Sequence, residues 1–284
     1  MSDALLDKLL LPAQTGLRFL DAYSGRAIVD GLRCTLYRRR DRRALGVGVV
    51  TPSGVHHWPE LAARWRHEPA SPPAPAQTSH SEVIVEDRFD RYLPLRLPWP
   101  PEPDSDSEHI TSVMLASAPQ RNAPSGAATV HGLLTDESGF PAAWVRVLAT
   151  DTQSRTTVGM SDDSGRLTLH LPYPRPERRT LKSPPDSPPA APTMAATITL
   201  RVFHDPDIGA EALAAAVQGN PVRDAPLPTA PLLPGWTAQP EVRALARLGA
   251  TDPFGPLRLE PDRPSVPVTE GLPPNRSELR LTPL

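Results

Sequence analysis

Two stretches of this chain run through the same ordered signals, and this repetition constrains the fold more than any other feature. The order is strand, Asp-containing Ser-Gly turn, strand, polar turn, strand, second Ser-Gly turn, short strand, proline-rich insert and long strand. The second turns read VTPSGVHHWPEL and SDDSGRLTLHLP. The two turns are 29 residues apart in the first stretch (Gly25 to Gly54) and 26 apart in the second (Gly139 to Gly165). This shared order predicts two tandem modules built on one plan.

The residues between the turns alternate with the period of a β-strand. Leu32, Cys34 and Leu36 alternate with polar or aromatic neighbours in the first stretch, as Leu167, Leu169 and Leu171 do in the second. A period of two predicts strands with one buried face. The Ser-Gly turns suit such strands, because glycine adopts positive φ and Asp or Ser side chains bond nearby backbone amides. We therefore expect an all-β fold of two small antiparallel β-sandwiches.

Proline is the other strong compositional signal. The chain has 38 prolines and 17 glycines in 284 residues. Since proline lacks an amide donor and breaks helix interiors, this composition predicts long proline-rich loops and little helix. The predicted organisation is a short amphipathic N-terminal segment (1–14), a first module (15–98), a linker (99–125), a second module (126–207) and an extended proline-rich tail with short helices (208–284).

Three finer predictions concern the linker and the tail. Within the linker, Thr111–Ala116 has the pattern of an added edge strand. In the tail, a short helix is predicted from about Gly209 to Gln218, where a Gly-Asn-Pro sequence ends it. A second helix is predicted in QPEVRALARLGA, with apolar Val242, Leu245 and Leu248. The tail is expected to lie extended on the modules or on a neighbouring protein.

Charge and cysteine content limit the classes of partner and compartment. The 30 Lys and Arg nearly balance the 32 Asp and Glu, so the net charge gives no reason to expect nucleic acid or an anionic membrane. A single cysteine, Cys34, precludes an intramolecular disulfide and fits a reducing compartment. No signal-peptide pattern and no apolar run of about 20 residues is present. The expected location is cytoplasmic, free or within an assembled particle.

The histidines and acidic clusters do not have the spacing of metal ligands. His56 and His57 are adjacent, so on a strand they point to opposite faces, and beside Trp58 they suggest an exposed strand end. His170 and His204 could approach each other if their strands pair, but no further ligand accompanies them. The run Asp162–Ser164 lacks calcium-loop spacing and is typical of a turn. We predict no metal site and no bound cofactor.

Nucleophilic and nucleotide-binding patterns are also missing from the sequence. The chain has no Gly-x-Ser-x-Gly elbow, and its Ser-Gly pairs are turn signals. Cys34 lies in a strand alternation, which predicts a small buried hydrophobic residue. The stretch GVGV (Gly46–Val49) lacks the third glycine and the helix start of a nucleotide loop. No catalytic residue is therefore predicted, and the chain is expected to be non-enzymatic.

Two surface features remain as candidates for binding. Arg38–Arg43, with Asp41 inside it, could grip phosphates or an acidic protein surface, but a solvated hairpin tip is the favoured interpretation. Trp58, Trp65 and Trp99 lie near proline or arginine in irregular segments. Such tryptophans suit protein contact surfaces, and they equally suit packing of loops onto a sandwich.

The second stretch resembles a known domain family. GLLTDESGFPAAWVRVLATDTQSRTTVGMSDDSGRLTLHLP is similar to the carboxypeptidase regulatory-like, transthyretin-like domain over about 80 residues. The resemblance implies a seven-strand β-sandwich with a structural, binding or domain-spacing role. It implies no catalytic site, because the chemistry of such proteins belongs to a separate enzyme domain. The residues that carry it are Gly132, Asp136, Gly139, Pro141, Val145, Val147, the Ser161–Gly165 turn and the Leu167–Leu171 strand.

The first stretch resembles a different group. From GLRFLDAYSGRAIVDGLRCTL through TPSGVHHWPEL to VEDRFDRYLPLRLPWP, it is similar to accessory proteins of phage-tail-like contractile injection systems. Those proteins combine such sandwiches with proline-rich connections, which implies a subunit of a large protein assembly. The leading hypothesis is a structural or adaptor subunit whose partners are other protein subunits. The alternatives are a carbohydrate- or peptide-binding β-sandwich that uses Trp58 or Trp99, and a metal-dependent hydrolase.

Overall fold

The structure, a computed structural model, describes residues 16–58, 81–99, 110–172, 196–217, 229–249, 252–259, 264–273 and 276–284. Over these residues the chain is mostly β, with strands arranged in several sheets, and the expectation of a β-rich fold is confirmed. No helix in the described residues is long and apolar enough to span a membrane. The N-terminal segment 1–14, Trp65 and both proline-rich inserts lie outside the described residues.

The first eight strands form two four-stranded sheets, here called the N-terminal sheet pair. Their orders are β4-β5-β1-β8 and β3-β2-β6-β7. The β1–β8 pair is parallel, and the other pairs are antiparallel. One apolar cluster, with Phe19, Leu36, Val85 and Leu115 among its buried members, joins the two sheets. The strands are β1 (Gly16–Asp21), β2 (Leu32–Arg38), β3 (Ala44–Val47), β4 (Val49–Val50), β5 (Val55–His57), β6 (Ser81–Asp87), β7 (Leu95–Trp99) and β8 (Ile110–Leu115).

The remaining strands form one eight-stranded sheet, here called the C-terminal sheet. Its path is β11-β10-β13-β14-β16-β9-β12, and β15 pairs with β13 beside this path. The sheet curls, because a bridge between Ser161 and Leu167 brings its first and last strands together. The strands are β9 (Ala127–Thr135), β10 (Arg146–Asp151), β11 (Thr156–Met160), β12 (Arg166–Pro172), β13 (Ala196–Phe203), β14 (Glu241–Ala244), β15 (Leu257–Leu259) and β16 (Leu279–Pro283), with helices α1 (Pro206–Val217) and α2 (Leu233–Thr237).

The turn before β12 shows how local sequence chemistry sets the strand connections. The Asp162 Oδ1 atom accepts hydrogen bonds from the amides of Ser164 and Arg166, at 2.9 and 2.8 Å. Gly165 has φ +75°, and a Cβ atom there would lie 2.4 Å from the carbonyl oxygen of Leu134. Only glycine fits this position, since both the backbone angle and the close approach exclude a side chain. The turn interpretation of Asp162–Ser164 is confirmed.

The structure changes the boundaries inferred from the sequence. The segment 99–125, expected to be a linker, contains β8, which confirms the edge strand predicted at Thr111–Ala116 and pairs with β1 along its full length. The segment 208–284, expected to be an extended tail, contributes β14, β15 and β16 to the C-terminal sheet. Both segments therefore add strands to the sheets. The edge of a sheet presents unpaired backbone groups, and these segments form hydrogen bonds with them.

One predicted helix is confirmed and one is wrong. The helix expected from about Gly209 to Gln218 is α1, and Gln218 lies outside the described residues. QPEVRALARLGA, expected to be helical, contains strand β14, which lies between β13 and β16. Backbone hydrogen bonds to two neighbouring strands outweigh the weak helical spacing of its apolar residues.

Candidate functional site at the joint between the sheets and a neighbouring groove

The N-terminal sheet pair and the C-terminal sheet meet at a shared apolar cluster, here called the joint. Leu93, Ala116 and Ala118 come from the N-terminal side, and Trp144 and Met160 come from the C-terminal sheet. Helix α1 adds Ile208 and Ala212, and α2 adds Trp236. All of these side chains are buried, so burial of apolar surface holds the two parts together.

Trp144 is the most unusual residue of the joint. Its backbone has φ +58°, a left-handed conformation that is rare for a bulky residue. Gln239 holds it in place, because the Gln239 Nε2 atom donates to the Trp144 carbonyl at 2.9 Å and Oε1 accepts from the Arg146 amide at 3.2 Å. Such backbone strain persists only where surrounding contacts outweigh it. The contacts of Gln239 therefore fix the backbone conformation of Trp144 within the joint.

An ion pair ties the first Ser-Gly turn to the segment that leads into the C-terminal sheet. Both Asp21 carboxylate oxygens accept hydrogen bonds from Arg121, at 2.8 and 3.0 Å. Burial raises the pKa of Asp21, but hydrogen bonds from Arg121 and Ser24 outweigh burial and leave it below the ordinary value. The carboxylate therefore stays ionised at neutral pH. Arg121 also donates to Ser117 Oγ at 2.9 Å, which fixes the connecting segment.

His170 lies buried at the same boundary. Its Nδ1 atom is 3.2 Å from the Thr129 hydroxyl, and its ring meets that of Tyr23 edge-on with centroids 6.3 Å apart. Its Nε2 atom has no hydrogen-bond partner among the described residues. Burial first, and the nearby Arg121 charge second, lower the pKa of His170 to about 4. The imidazole is therefore neutral at physiological pH.

A buried charge network lies between the second four-stranded sheet and α1. Glu82 forms ion pairs with Arg42 and, at 3.6 Å, with Arg96. Arg96 also pairs with Glu211 of α1 at 3.2 Å and donates through Nε to the carbonyl of Ala230 at 2.7 Å. Buried charges require such partners, because each one loses its hydration on folding. The network therefore ties α1 and the segment before α2 to the N-terminal sheet pair.

A groove opens on the surface beside the joint, where the Asp136–Gly139 turn faces the end of β16. It has a volume of about 600 Å³. Its lining is partly apolar and partly acidic, and Arg201 pairs with Glu241 at 2.5 Å. Behind the turn, Arg280 donates to the carbonyls of Asp136 and Glu137 and pairs with Glu278. The lining residues are Asp136, Glu137, Ser138, His204, Pro206, Pro240, Glu241, Val242, Leu281, Thr282, Pro283 and Leu284.

His204 is the one histidine that lines this groove. Burial lowers the pKa of His204, and the carboxylates of Asp205 and Asp136 oppose this effect. His204 directly follows β13, which pairs with β10, β14 and β15, whereas β12, which carries His170, pairs with β9. The strand pairing that would bring His170 and His204 together is therefore not formed. In the described part of the chain, no three His, Cys, Asp or Glu residues are grouped to hold a metal ion.

His56 lies deeper than expected, and Trp58 and Trp99 pack in the core, which is one of the two interpretations that the sequence left open for them. His56 is buried with its ring edge-on to Phe19, so the prediction of an exposed strand end is wrong for this residue. Burial, and then the neighbouring His57, lower the pKa of His56 to about 4. Trp58 and Trp99 are only 5% and 6% exposed, and their ring centroids are 4.5 Å apart. Both pack in the core, so neither presents a face to a glycan.

The predictions of a buried Cys34 and of a solvated arginine-rich hairpin tip are confirmed. Cys34 is fully buried in the core of the N-terminal sheet pair, and burial raises the pKa of its thiol well above the ordinary value. The arginine run forms the tip of the β2–β3 hairpin and is largely exposed. Arg42 is the exception, because it has φ +53° and turns inward to Glu82.

The residues that build the joint were not identified from the sequence. Arg121 stood in a presumed linker, and Trp236 and Gln239 stood in a presumed tail, where no local pattern marks a buried contact. The positive φ of Trp144 has no signal either, because bulky residues rarely adopt it. The sequence signal for such a buried contact is an isolated arginine or tryptophan among prolines, and the same pattern equally fits an exposed loop.

Comparisons with known proteins assign no family. No family model and no curated protein matches this sequence. The TIE protein of Bacillus anthracis aligns with 8% identity and a TM-score of 0.19, over 69% of this chain and 29% of that chain. The shaft pilin SpaA of Lactobacillus rhamnosus GG aligns with 10% identity and a TM-score of 0.22, over 68% and 88%. Scores this low assign neither a fold nor a role.

Proposed function

We propose that this chain is a non-enzymatic structural or adaptor subunit of a protein assembly, built as two tandem sandwiches held in a fixed arrangement. The observation that carries this proposal is the joint. Apolar packing around Trp144 and Trp236 and the Arg96–Glu82–Glu211 network connect the two parts, and the Asp21–Arg121 pair fixes the segment between them. A part that transmits position or load within an assembly requires such a fixed connection.

The strand pairings support the tandem arrangement. Strand β1 has an antiparallel partner, β5, and a parallel partner, β8. Strand β9 likewise has an antiparallel partner, β12, and a parallel partner, β16. Strand β2 pairs with the next strand, β3, and with a later one, β6. Strand β10 pairs in the same way with β11 and β13. Strands β6 and β13 then pair with β7 and β14. These shared pairings support the tandem plan that the order of turns in the sequence suggests.

An arginine also secures the Asp-containing Ser-Gly turn in each half. Arg121, which follows β8, binds the Asp21 carboxylate. Arg280 in β16 binds the carbonyls of Asp136 and Glu137. The resemblance of the second stretch to a domain-spacing sandwich agrees with this arrangement. The resemblance of the first stretch makes a phage-tail-like contractile injection particle the assembly to test first.

The test is recovery of the tagged full chain from its native host, with mass spectrometry and negative-stain microscopy of the eluate. Reproducible partners, among them sheath, tube or baseplate proteins, are the expected result. The variant Arg121→Met removes the ion pair that fixes the segment between the two parts, and it should recover less of these partners. Arg26→Met is the matched control, since Arg26 is exposed. A wild-type chain that elutes alone in repeated preparations would contradict the proposal.

A peptide-binding module is the second candidate, and the groove favours it. Its mixed apolar and acidic lining suits a short segment that carries basic side chains. The test is titration of the purified chain with lysine- or arginine-containing proline-rich peptides, followed by calorimetry. Binding that Glu137→Arg removes would support this function, and heats equal to those of dilution would exclude it for these peptides.

A further inference from the structure

The tip of the β2–β3 hairpin carries uncompensated positive charge on a fixed backbone. Arg38 pairs with Asp41 at 3.1 Å, whereas Arg39, Arg40 and Arg43 have no ion pair among the described residues. Arg42 turns inward to the buried Glu82, which anchors the tip to the sheet. The exposed arginines therefore project from a backbone that is already ordered, which reduces the entropy lost on binding.

The groove carries the opposite charge. Asp136, Glu137 and Glu241 line it. Arg201 pairs with Glu241, and Arg280, behind the turn, pairs with Glu278, so no ion pair to the Asp136 and Glu137 carboxylates is formed among the described residues. Hydrogen bonds from Arg201 lower the pKa of Glu241, so its carboxylate is ionised at neutral pH. The proline rings of Pro206 and Pro240 provide the apolar part of the wall. Arginine suits such a surface, since its stem packs on apolar groups while its guanidinium binds carboxylates.

We infer that the groove receives the arginine-rich hairpin tip of a second copy of this chain, so that copies associate through these two surfaces. Within one copy, the described tip arginines form no ion pair with the groove carboxylates. Glu137 is exposed and lines the groove, so its carboxylate is accessible to an incoming guanidinium. Each guanidinium can form two parallel hydrogen bonds with one carboxylate.

This association makes a second copy of the chain a partner in the proposed structural role, and the inference rests on that proposed role. Every copy carries both the tip and the groove, so the contact repeats from one molecule to the next. Two copies that exchange tips reciprocally would close as a dimer, whereas a contact that does not close would extend as a filament. Because the contact joins charged surfaces, added salt should weaken it.

The experiment is sedimentation velocity of the purified full chain at about 0.05 M and about 0.5 M ionic strength. The wild-type chain should form dimers or longer species at low salt and shift toward monomer at high salt. Arg39→Glu with Arg40→Glu, and separately Glu137→Arg, should each weaken association at least tenfold. Mixing the two variants should restore it, since each then meets a surface of opposite charge.

The matched control is Arg26→Glu with Arg88→Glu, which makes the same charge change at exposed arginines outside the tip. This control should associate like the wild type. Circular dichroism and thermal unfolding show whether each variant folds, and Arg39→Gln with Arg40→Gln replaces the tip variant if the charge reversal prevents folding. A monomeric wild-type chain at low salt, or association unchanged by both reversals, overturns the inference.

The outcome also separates this inference from the proposed function. A purified chain that stays monomeric while the native host yields reproducible partner proteins would overturn self-association alone. Self-association without other partners would leave the inference standing and contradict the adaptor role.

Discussion

Acid should destabilise this protein in a way that depends on His170. Folding lowers its pKa from the ordinary 6.5 to about 4, because the ring is 1% exposed and lies near the Arg121 charge. The unfolded chain therefore binds the proton first as the pH falls. The contribution of the neutral imidazole is fully present above pH 6.5 and is lost as the pH falls toward 4.

The size of the effect follows from the two pKa values. Because folding lowers the pKa of His170 from 6.5 to about 4, acidification from pH 7.5 to pH 4.5 should reduce the free energy of unfolding by about 2.5 kcal/mol. This is a large share of the 5–15 kcal/mol typical of folded domains. His56, with a pKa also near 4, should contribute a similar and independent loss.

The assay is urea unfolding of wild type and His170→Asn over this pH range. Asparagine keeps a polar atom near the Thr129 hydroxyl and cannot be protonated. The variant should lose less stability on acidification than the wild type, by about 2.5 kcal/mol, because all carboxylate titrations are common to both. Thr129→Val is the control, since it keeps the imidazole and should retain the wild-type slope. Equal slopes for wild type and His170→Asn would refute the reasoning.

Three further predictions concern the turn, the joint and the buried charges. Gly165→Ala should cost more than about 3 kcal/mol in thermal unfolding, because the added Cβ meets the backbone, whereas Gly126→Ala, with φ +76° and open space, should cost about 1 kcal/mol. Trp144→Ala should cost about 3–5 kcal/mol in urea unfolding and speed hydrogen exchange in α2; unchanged exchange would argue against its role in the joint. Glu82→Gln should cost about 3–5 kcal/mol, since it leaves the buried Arg96 and the half-buried Arg42 without their shared carboxylate. Asp41→Asn, at an exposed ion pair, should change stability by less than about 1 kcal/mol; equal losses for these two variants would contradict the account of the network.

Local patterns in the sequence were sufficient for the strands and turns that use neighbouring residues. The alternation around Cys34 and the Leu167–Leu171 strand predicted buried strands, and the structure places them there. The turn at Asp162 was equally readable, because its hydrogen bonds reach only residues two and four positions away. Helix α1 was found for the same reason, since its end signals lie next to it in the chain.

Patterns failed where the deciding contact was distant in sequence. The apolar spacing of Val242, Leu245 and Leu248 predicted a helix, yet β13 and β16 on either side make this segment a strand. The His56 environment was misjudged, because its burial depends on how the two sheets pack and not on its neighbours. Trp58 and Trp99, 41 residues apart, pack against each other for the same reason.

The sequence by itself determined the β-rich composition, the glycine turns and the exposed arginine tip, because each depends on backbone conformation or solvation within a few residues. Only the tertiary structure decided the joint, the groove and the roles of Arg121, Trp144 and Gln239. These sites form when segments separated by about a hundred residues come together, as those of Asp21 and Arg121 do. Burial and ion pairing at such contacts depend on the relative position of whole sheets, and no local spacing of residues encodes that position.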